Sequence, residues 1–276
     1  MNDLIKLSCK ATHEFWEIPV LFEDEHVLAL NKPADLLTSP DRYDPERPNL
    51  MQLLHRDIER GAPWVAPRRL TYLMNAHRLD CETSGVLLLA KSKPVLVALA
   101  NSFGSEQPLR TYAGLVQGVP PRTPFVVDAR LAPHPTRLGL MRVDPTHGKR
   151  SITQFEVREQ FSHHTLLQCR PLTARPHQIR IHLRYVQLPV AGDAVYGGRP
   201  LLLSRLKTEY HLKHGRNERP LLGRAGLHAE QLALVHPMTG SDICITAPWP
   251  KDLTVAVKYL RRYATAQSSN AIPGAE

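Results

Sequence analysis

The stretch from residue 77 to residue 85 places a carboxylate directly before an apolar run. It reads HRLDCETSG, and VLLLA follows at 86–90. Asp80 thus belongs to a polar, turn-prone cluster held by rigid scaffold, from which its carboxylate can point into a cleft. An ionised aspartate in such a place is suited to nucleophilic chemistry. For a generic Asp-x-x-Thr-Ser-Gly, an aspartate that caps a turn is the commoner explanation, because turn residues cluster in all loops.

Five other segments accompany this stretch. They combine basic or aromatic residues with turn-forming ones, and they read KPADL at 32–36, RTY at 110–112, LTARPHQIRIHL at 172–183, GDAVYG at 192–197 and LHA at 227–229. Their order and spacing around HRLDCETSG resemble the RluA-type pseudouridine synthases. The family signature His-Arg-Leu-Asp-x-x-Thr-Ser-Gly is matched at every specified position. The resemblance covers most of the chain, so it describes a fold and not one loop.

Three positions depart from the family's pattern. Asp35 and Ala174 stand where the family commonly has glycine, and Gly114 where it has alanine. Aspartate tolerates left-handed backbone better than most residues. We therefore expect the turn at Asp35 to survive and the reacting groups to be unaffected.

The resemblance implies that the protein isomerises uridine to pseudouridine in RNA. Asp80 would be the nucleophile, attacking either the ribose C1′ or the uracil ring, and the target base would have to be flipped out of its stack. Arg180 would pair with Asp80 and keep it ionised. Tyr112 would pack against the flipped uracil. Reactant and product are isomers, so neither a cofactor nor a metal is implied.

The same resemblance suggests residues that bind RNA. Arg78, beside the nucleophile, would fill the gap left by the flipped base or hold a phosphate. Arg175 and Arg184 would bind backbone phosphates, although solvated surface charge explains them equally well. Lys32 and His77, which belong to the motifs, are assigned to RNA binding with them.

The strands and helices that must position these residues can be read from the sequence. We predict an α+β fold on a mixed, largely antiparallel central sheet, flanked by helices and loops, with an active-site cleft across the sheet. Apolar runs and alternation predict strands at 26–30, 86–90, 111–117, 165–169 and 229–235. Helical spacing predicts helices at 49–60, 92–103 and 253–263. The segment 177–186 fits either period, and we favour a helix because Pro176 suits a helix start.

One continuous body is expected. We predict a short N-terminal extension at 1–20, a catalytic domain at 21–264 and a disordered tail at 265–276. The polar and basic segment 201–223 resembles an insertion whose role the sequence leaves open.

Charge and cysteine content set the protein class. The 35 Lys and Arg against 26 Asp and Glu give a net charge of +9, as expected for a partner of a polyanion such as rRNA or tRNA. The four cysteines form no C-x-x-C pair, which argues against a zinc ribbon or a disulfide scaffold. The sequence has no secretory signal and no stretch approaching the roughly 20 apolar residues of a membrane span. We expect a cytoplasmic monomer.

Two alternatives compete with an RNA-modifying enzyme. The 14 histidines suggest a metal hydrolase, but neither H-E-x-x-H nor H-x-E with P-C-x-x-C is present. A non-catalytic RNA-binding or RNA-folding protein on the same scaffold is the stronger rival, since a fold alone does not establish activity. The presence of Asp80, Tyr112 and Arg180 favours the enzyme.

Overall fold

The computed structural model describes residues 3–212, 215 and 217–265. Within them, 11 strands form one mixed, mostly antiparallel sheet, and two more form a small hairpin. The strands are β1 Leu4–Cys9, β2 Glu14–Glu23, β3 Val27–Lys32, β4 Met74–Asn75, β5 Ser84–Ala90, β6 Leu109–Gln117, β7 Phe125–Asp128, β8 Leu131–Pro133, β9 Met141–Val143, β10 Ile152–Gln160, β11 His164–Pro171, β12 Leu227–Val235 and β13 Asp242–Thr246. The helices are α1 Leu50–Glu59, α2 Lys93–Gly104, α3 Gln178–Tyr185 and α4 Lys251–Tyr263. The predicted α+β class is confirmed.

The sheet has two halves that join behind Asp80. Its order is β1-β2-β3-β5-β12-β6-β11-β10-β7. The join is a short parallel pairing of Ser84 with His228 and of Gly85 with Ala229. Gly85 has φ +117°, and a Cβ there would lie 2.1 Å from the carbonyl oxygen of Ala229. The backbones approach so closely that only glycine fits at this position.

The strand that follows Asp80 is buried along its whole length. All seven residues of β5 are buried, as the uninterrupted apolar run predicted, because β5 is covered on both faces. It pairs with β3 on one side and with β12 on the other. The loop that carries Asp80 therefore leads directly into a fully buried strand.

The N-terminal segment is part of the same sheet. β1 pairs with β2, and β2 with β3. Their side chains Ile5, Leu7 and Ile18 are buried in the main core. The predicted boundary at residue 20 falls inside β2, so the described part of the extension, from residue 3 to residue 20, is continuous with the catalytic body.

The predicted helices are confirmed, with small differences at their ends. Asn49 caps α1 through its side chain, which accepts from the backbone N–H of Gln52. Ser92 precedes α2 as expected, but its side chain makes no capping hydrogen bond. The ambiguous segment after Pro176 is a helix, α3. Residues of this helix pack against β10 and β11.

The remaining segments complete the fold. Leu201 and Leu222 bridge each other and are buried, so both ends of the 201–223 segment belong to the core. Thr265 bridges Phe161, and the rest of the predicted tail, 266–276, lies outside the described residues. The helices in the described ranges all lack the length and hydropathy that a membrane span requires.

Candidate active site

The loop that carries Asp80 is fixed by contacts from both halves of the sheet. The Lys32 ammonium and the backbone N–H of Asp35 both donate to the carbonyl of Cys81, at 3.2 and 2.9 Å. The Arg224 guanidinium donates to the carbonyl of Glu82 at 2.9 Å. Asp35 has φ +62°, so the turn expected at this substituted glycine position is present. The Asp80 side chain is 24% exposed and stays accessible at the end of this fixed loop.

Lys32 differs from its predicted role. Its side chain is fully buried, and its ammonium donates to the carbonyls of Pro33, Leu36 and Cys81. Burial lowers the pKa of Lys32 to about 8. The lysine ties the first motif to the Asp80 loop and offers no surface to RNA, in contrast with the RNA-binding role expected from the sequence.

His77 also has structural contacts where RNA binding was expected. Its Nε2 accepts from the backbone N–H of Leu88 at 3.1 Å, and its ring stacks on Phe103 at a centroid distance of 4.9 Å. Burial lowers the pKa of His77 to about 3. The ring is therefore neutral at physiological pH and provides no cation for a phosphate.

Arg180 faces the nucleophile and is itself held by carboxylates. Its Nη1 lies 3.6 Å from Oδ2 of Asp80, which agrees with the predicted pairing. Its shorter contacts are two hydrogen bonds to Asp193, at 2.6 and 2.7 Å, and one to Glu82 at 2.7 Å. The Arg180 side chain is 4% exposed and that of Asp193 is 0% exposed. A bidentate buried pair therefore fixes the plane of the guanidinium and directs Nη1 at Asp80.

Sequence reasoning missed Glu82, Asp193 and Arg224 as parts of this site. Burial raises the pKa of Glu82 above its ordinary value. Arg224 pairs with Asp252 through two hydrogen bonds, at 2.7 and 3.1 Å. The GDAVYG segment was a signal for Asp193, whereas Glu82 occupies an unspecified position of the signature and carried none.

A second polar side chain, that of His177, faces Asp80 from the start of α3. Nε2 of His177 lies 4.0 Å from Oδ1 of Asp80. The other ring nitrogen, Nδ1, lies 2.7 Å from the hydroxyl of Tyr196. That hydroxyl accepts from the backbone N–H of Met141 at 3.1 Å. The two Asp80 oxygens are thus approached by two different side chains, Arg180 and His177.

The other predicted site residues occupy different depths. Tyr112, on β6, packs against two of the four apolar clusters of the described residues, and burial raises its pKa to about 12. Arg78 and Arg184 are exposed. Arg175 is half-buried and donates to the carbonyl of Ala174 at 2.8 Å. Asp80 and Arg180 are brought together as predicted, while the three other arginines remain candidates for a surface role.

The described residues contain no group of three or more His, Cys, Asp or Glu side chains with the arrangement of a metal site. The chemistry of the site is that of an accessible carboxylate between a fixed guanidinium and an imidazole.

Known proteins resemble the chain in sequence and in fold. A family model described as RNA pseudouridylate synthase matches residues 26–185. The ribosomal large subunit pseudouridine synthase D of Xylella fastidiosa is 36% identical over 249 residues, which cover 88% of this chain and 70% of that protein. The protein of the same name from Escherichia coli K12 is 32% identical over 259 residues, with 91% and 74% covered.

Two solved structures share the fold. The human RNA pseudouridylate synthase domain containing 4 has a TM-score of 0.67 at 22% identity, covering 88% of this chain and 92% of that one. The human RNA pseudouridylate synthase domain containing 1 has a TM-score of 0.62 at 21% identity, covering 91% and 97%. The matched family region runs from the strand before the Lys32 motif to the end of α3, and so includes Asp80 and Arg180. On the extent of these matches, the chain belongs to the RNA pseudouridylate synthase family and is an RNA-modifying isomerase.

Proposed function

We propose that this protein isomerises uridine to pseudouridine in the RNA of the large ribosomal subunit, with Asp80 as the nucleophile. The observation that carries the proposal is the accessible Asp80 carboxylate, 3.6 Å from a guanidinium that buried carboxylates hold in place. The choice of RNA is supported by the relatives, which are named for the large ribosomal subunit.

The reaction exchanges one bond of the base for another. The bond from N1 to C1′ breaks, the uracil turns, and a bond from C5 to C1′ forms. The proton on C5 leaves and N1 gains a proton, so the atoms and electrons balance without an oxidant or a second substrate. The ionised Asp80 supplies the electron pair for the covalent intermediate, by attack at C1′ or on the uracil ring.

The neighbours of Asp80 have separate roles in this proposal. Arg180 keeps the carboxylate ionised and oriented, because a cation within about 4–6 Å favours the charged form. Tyr112 packs its ring against the base once it is flipped out. Burial holds the pKa of Tyr112 near 12, so the phenol stays neutral while it does so.

RNA binding is assigned to the arginines that reach the surface. Arg78 is exposed two residues before the nucleophile and is placed to occupy the gap left by the flipped base. Arg175 and Arg184 bind backbone phosphates in this scheme. We infer that the protein acts in the cytoplasm as a monomer, and that its catalytic unit is the body at 21–264 together with β1 and β2.

The test measures tritium released from RNA labelled at uracil C5, because that hydrogen must leave when C5 bonds to carbon. The substrate is ribosomal RNA from cells that lack the protein, separated into large-subunit and small-subunit fractions. Wild-type protein should release tritium from the large-subunit fraction. Asp80→Asn should bind the same RNA, since phosphate contacts dominate affinity, and release none.

A matched control separates the nucleophile from a general effect of charge. Asp242 is exposed on β13, and Asp242→Asn should release tritium like the wild type. Turnover by Asp80→Asn at the wild-type rate would disprove the nucleophile assignment. Tritium release from a different RNA fraction would support the pseudouridine synthase activity but show that the substrate is not large-subunit RNA. Tight binding with no release from any RNA would favour a non-catalytic RNA-binding protein.

A further inference from the structure

The turn at 192–197 contacts both donors that face Asp80. Its sequence is GDAVYG. Asp193 accepts two hydrogen bonds from Arg180, and the Tyr196 hydroxyl meets Nδ1 of His177 at 2.7 Å. The Arg180 guanidinium also lies over the Tyr196 ring, 5.0 Å from its centroid. A single turn, distant in sequence from the nucleophile, therefore positions the side chains on either side of it.

The hydrogen bonds around Tyr196 determine which nitrogen of His177 carries the proton. The Tyr196 hydroxyl oxygen accepts from the backbone N–H of Met141 at 3.1 Å. Burial raises the pKa of Tyr196, so the phenol keeps its single proton. In the part of the chain that the structure describes, Nδ1 of His177 is the neighbour within hydrogen-bond distance that can accept this proton, and we assign it as the acceptor. A neutral imidazole with an accepting Nδ1 carries its proton on Nε2.

On this assignment the Nε2–H lies near the nucleophile. Nε2 lies 4.0 Å from Oδ1 of Asp80, while Nη1 of Arg180 lies 3.6 Å from Oδ2. Both distances exceed a hydrogen bond, as is common in enzymes without substrate, where such contacts tighten only in the complex. His177 has a left-handed backbone with φ +54° immediately before α3, and this conformation sets the direction of its ring.

Burial lowers the pKa of His177, so the ring is neutral near pH 7. A neutral donor can orient a carboxylate without adding a second positive charge beside Arg180. Additional positive charge would stabilise the carboxylate further and reduce its tendency to attack. The arrangement therefore combines one charged and one uncharged donor on the two oxygens of Asp80.

We propose that His177 is a positioning residue for Asp80, donating from Nε2–H to the nucleophile, and that Tyr196 fixes the tautomer that makes this possible. The proposal rests on the proposed function for the part that concerns catalysis. The tautomer itself is independent of the activity and can be measured in the free protein.

The kinetic test uses two amides that mimic different ring nitrogens. A glutamine amide nitrogen reaches the position of Nε2, and an asparagine amide nitrogen that of Nδ1. Gln187 already has φ +63° in this fold, so a glutamine can adopt the backbone of residue 177. His177→Asn should lower kcat about 10- to 150-fold, the range of one hydrogen bond to a charged group, with little change in KM for the RNA. His177→Gln should lose less than His177→Asn.

Two further variants complete the kinetic test. Tyr196→Phe keeps the ring under Arg180 and removes the hydroxyl. Like His177→Asn, it should lower kcat. His163 is exposed, and His163→Asn should leave kcat unchanged. Equal losses in His177→Asn and His177→Gln would overturn the donor role. An unchanged kcat in Tyr196→Phe would overturn the role of Tyr196.

The structural test is nitrogen NMR of the wild-type protein labelled in its histidines, with the His177 signals assigned by their loss in His177→Gln. The expected result at pH 7 is a neutral ring with the proton on Nε2, and a mixture of tautomers in Tyr196→Phe. A protonated Nδ1 or an imidazolium in the wild type would overturn the proposal even if the variants were inactive. Absence of tritium release by the wild type would refute the proposed function and leave the tautomer result standing.

Discussion

Replacing Asp193 by asparagine should destabilise the whole fold as well as the site. The pair that it forms with Arg180 is buried, at 0% and 4% exposure, with hydrogen bonds of 2.6 and 2.7 Å. Removing one partner of a buried pair costs about 3–5 kcal/mol, because the other charge stays buried without compensation. Glu82 still accepts from Arg180, so we expect the low end, about 3 kcal/mol. For a chain of this size that lowers the melting temperature by about 6–12 °C.

Equilibrium unfolding in urea measures this free energy directly. The matched control is Glu159→Gln, because Glu159 pairs with Arg261 at 2.7 Å on the surface, where the side chains are 32% and 58% exposed. That control should lose no more than about 1 kcal/mol. The double variant Asp193→Leu with Arg180→Met should recover stability and remain inactive, since a hydrophobic pair can replace a buried ion pair in packing but not in chemistry. A loss in Asp193→Asn no larger than that of the control would refute the reasoning.

Two other substitutions test the surroundings of the site. Gly85→Ala should lower the free energy of unfolding by about 3 kcal/mol or more, because strain at positive φ adds to a clash with the Ala229 carbonyl. The control Gly61→Ala is also at positive φ, but no atom lies within 4 Å of the new Cβ, so it should cost about 1–2 kcal/mol. Equal losses in the two variants would contradict the close approach of the backbones at Gly85. The pKa of His77 lies at about 3, below its ordinary 6.5, so its contribution to stability is present above pH 6.5 and is lost as the pH falls towards 3. Between pH 6.5 and pH 5 this amounts to up to about 2 kcal/mol. His77→Gln can still accept from the backbone N–H of Leu88, so its free energy of unfolding in urea should fall below that of the wild type by less at pH 5 than at pH 7. If the free energies of unfolding of the two proteins changed in parallel with pH, a neutral, buried His77 would be contradicted.

Local patterns in the sequence predicted most of the fold. The apolar run at 86–90 indicated a strand covered on both faces, and the spacing at 49–60 indicated α1. Both depend on nearest neighbours along the chain. The segment 177–186 was harder, because its apolar residues fit both periods. In the structure this segment is the helix α3, which packs against β10 and β11. Such long-range contacts cannot be read from the local apolar pattern.

The site was predicted where a motif carried it and missed where tertiary packing created it. The pairing of Asp80 with Arg180 followed from the resemblance. The contact of Asp193 with Arg180 arises only when the 192–197 turn folds beneath α3. Lys32 was expected at the RNA because it belongs to one of the motifs that accompany HRLDCETSG. Its burial against three carbonyls depends on a turn geometry that a single sequence does not reveal.

The short join between the two halves of the sheet determines how precisely the two strands at the join, β5 and β12, must be aligned for the active site to form. Asp80 precedes β5 in one half, and Arg180 is on α3, which packs against the other half. The halves meet through the pairings of Ser84 with His228 and of Gly85 with Ala229. A strand advances about 3.3 Å per residue, so slipping the join by one residue would move the nucleophile by nearly its whole 3.6 Å separation from the guanidinium. A chain whose halves had folded well but joined in the wrong register would still present its basic surface to RNA and would isomerise nothing. Catalytic turnover in this protein therefore requires the correct strand register at this join.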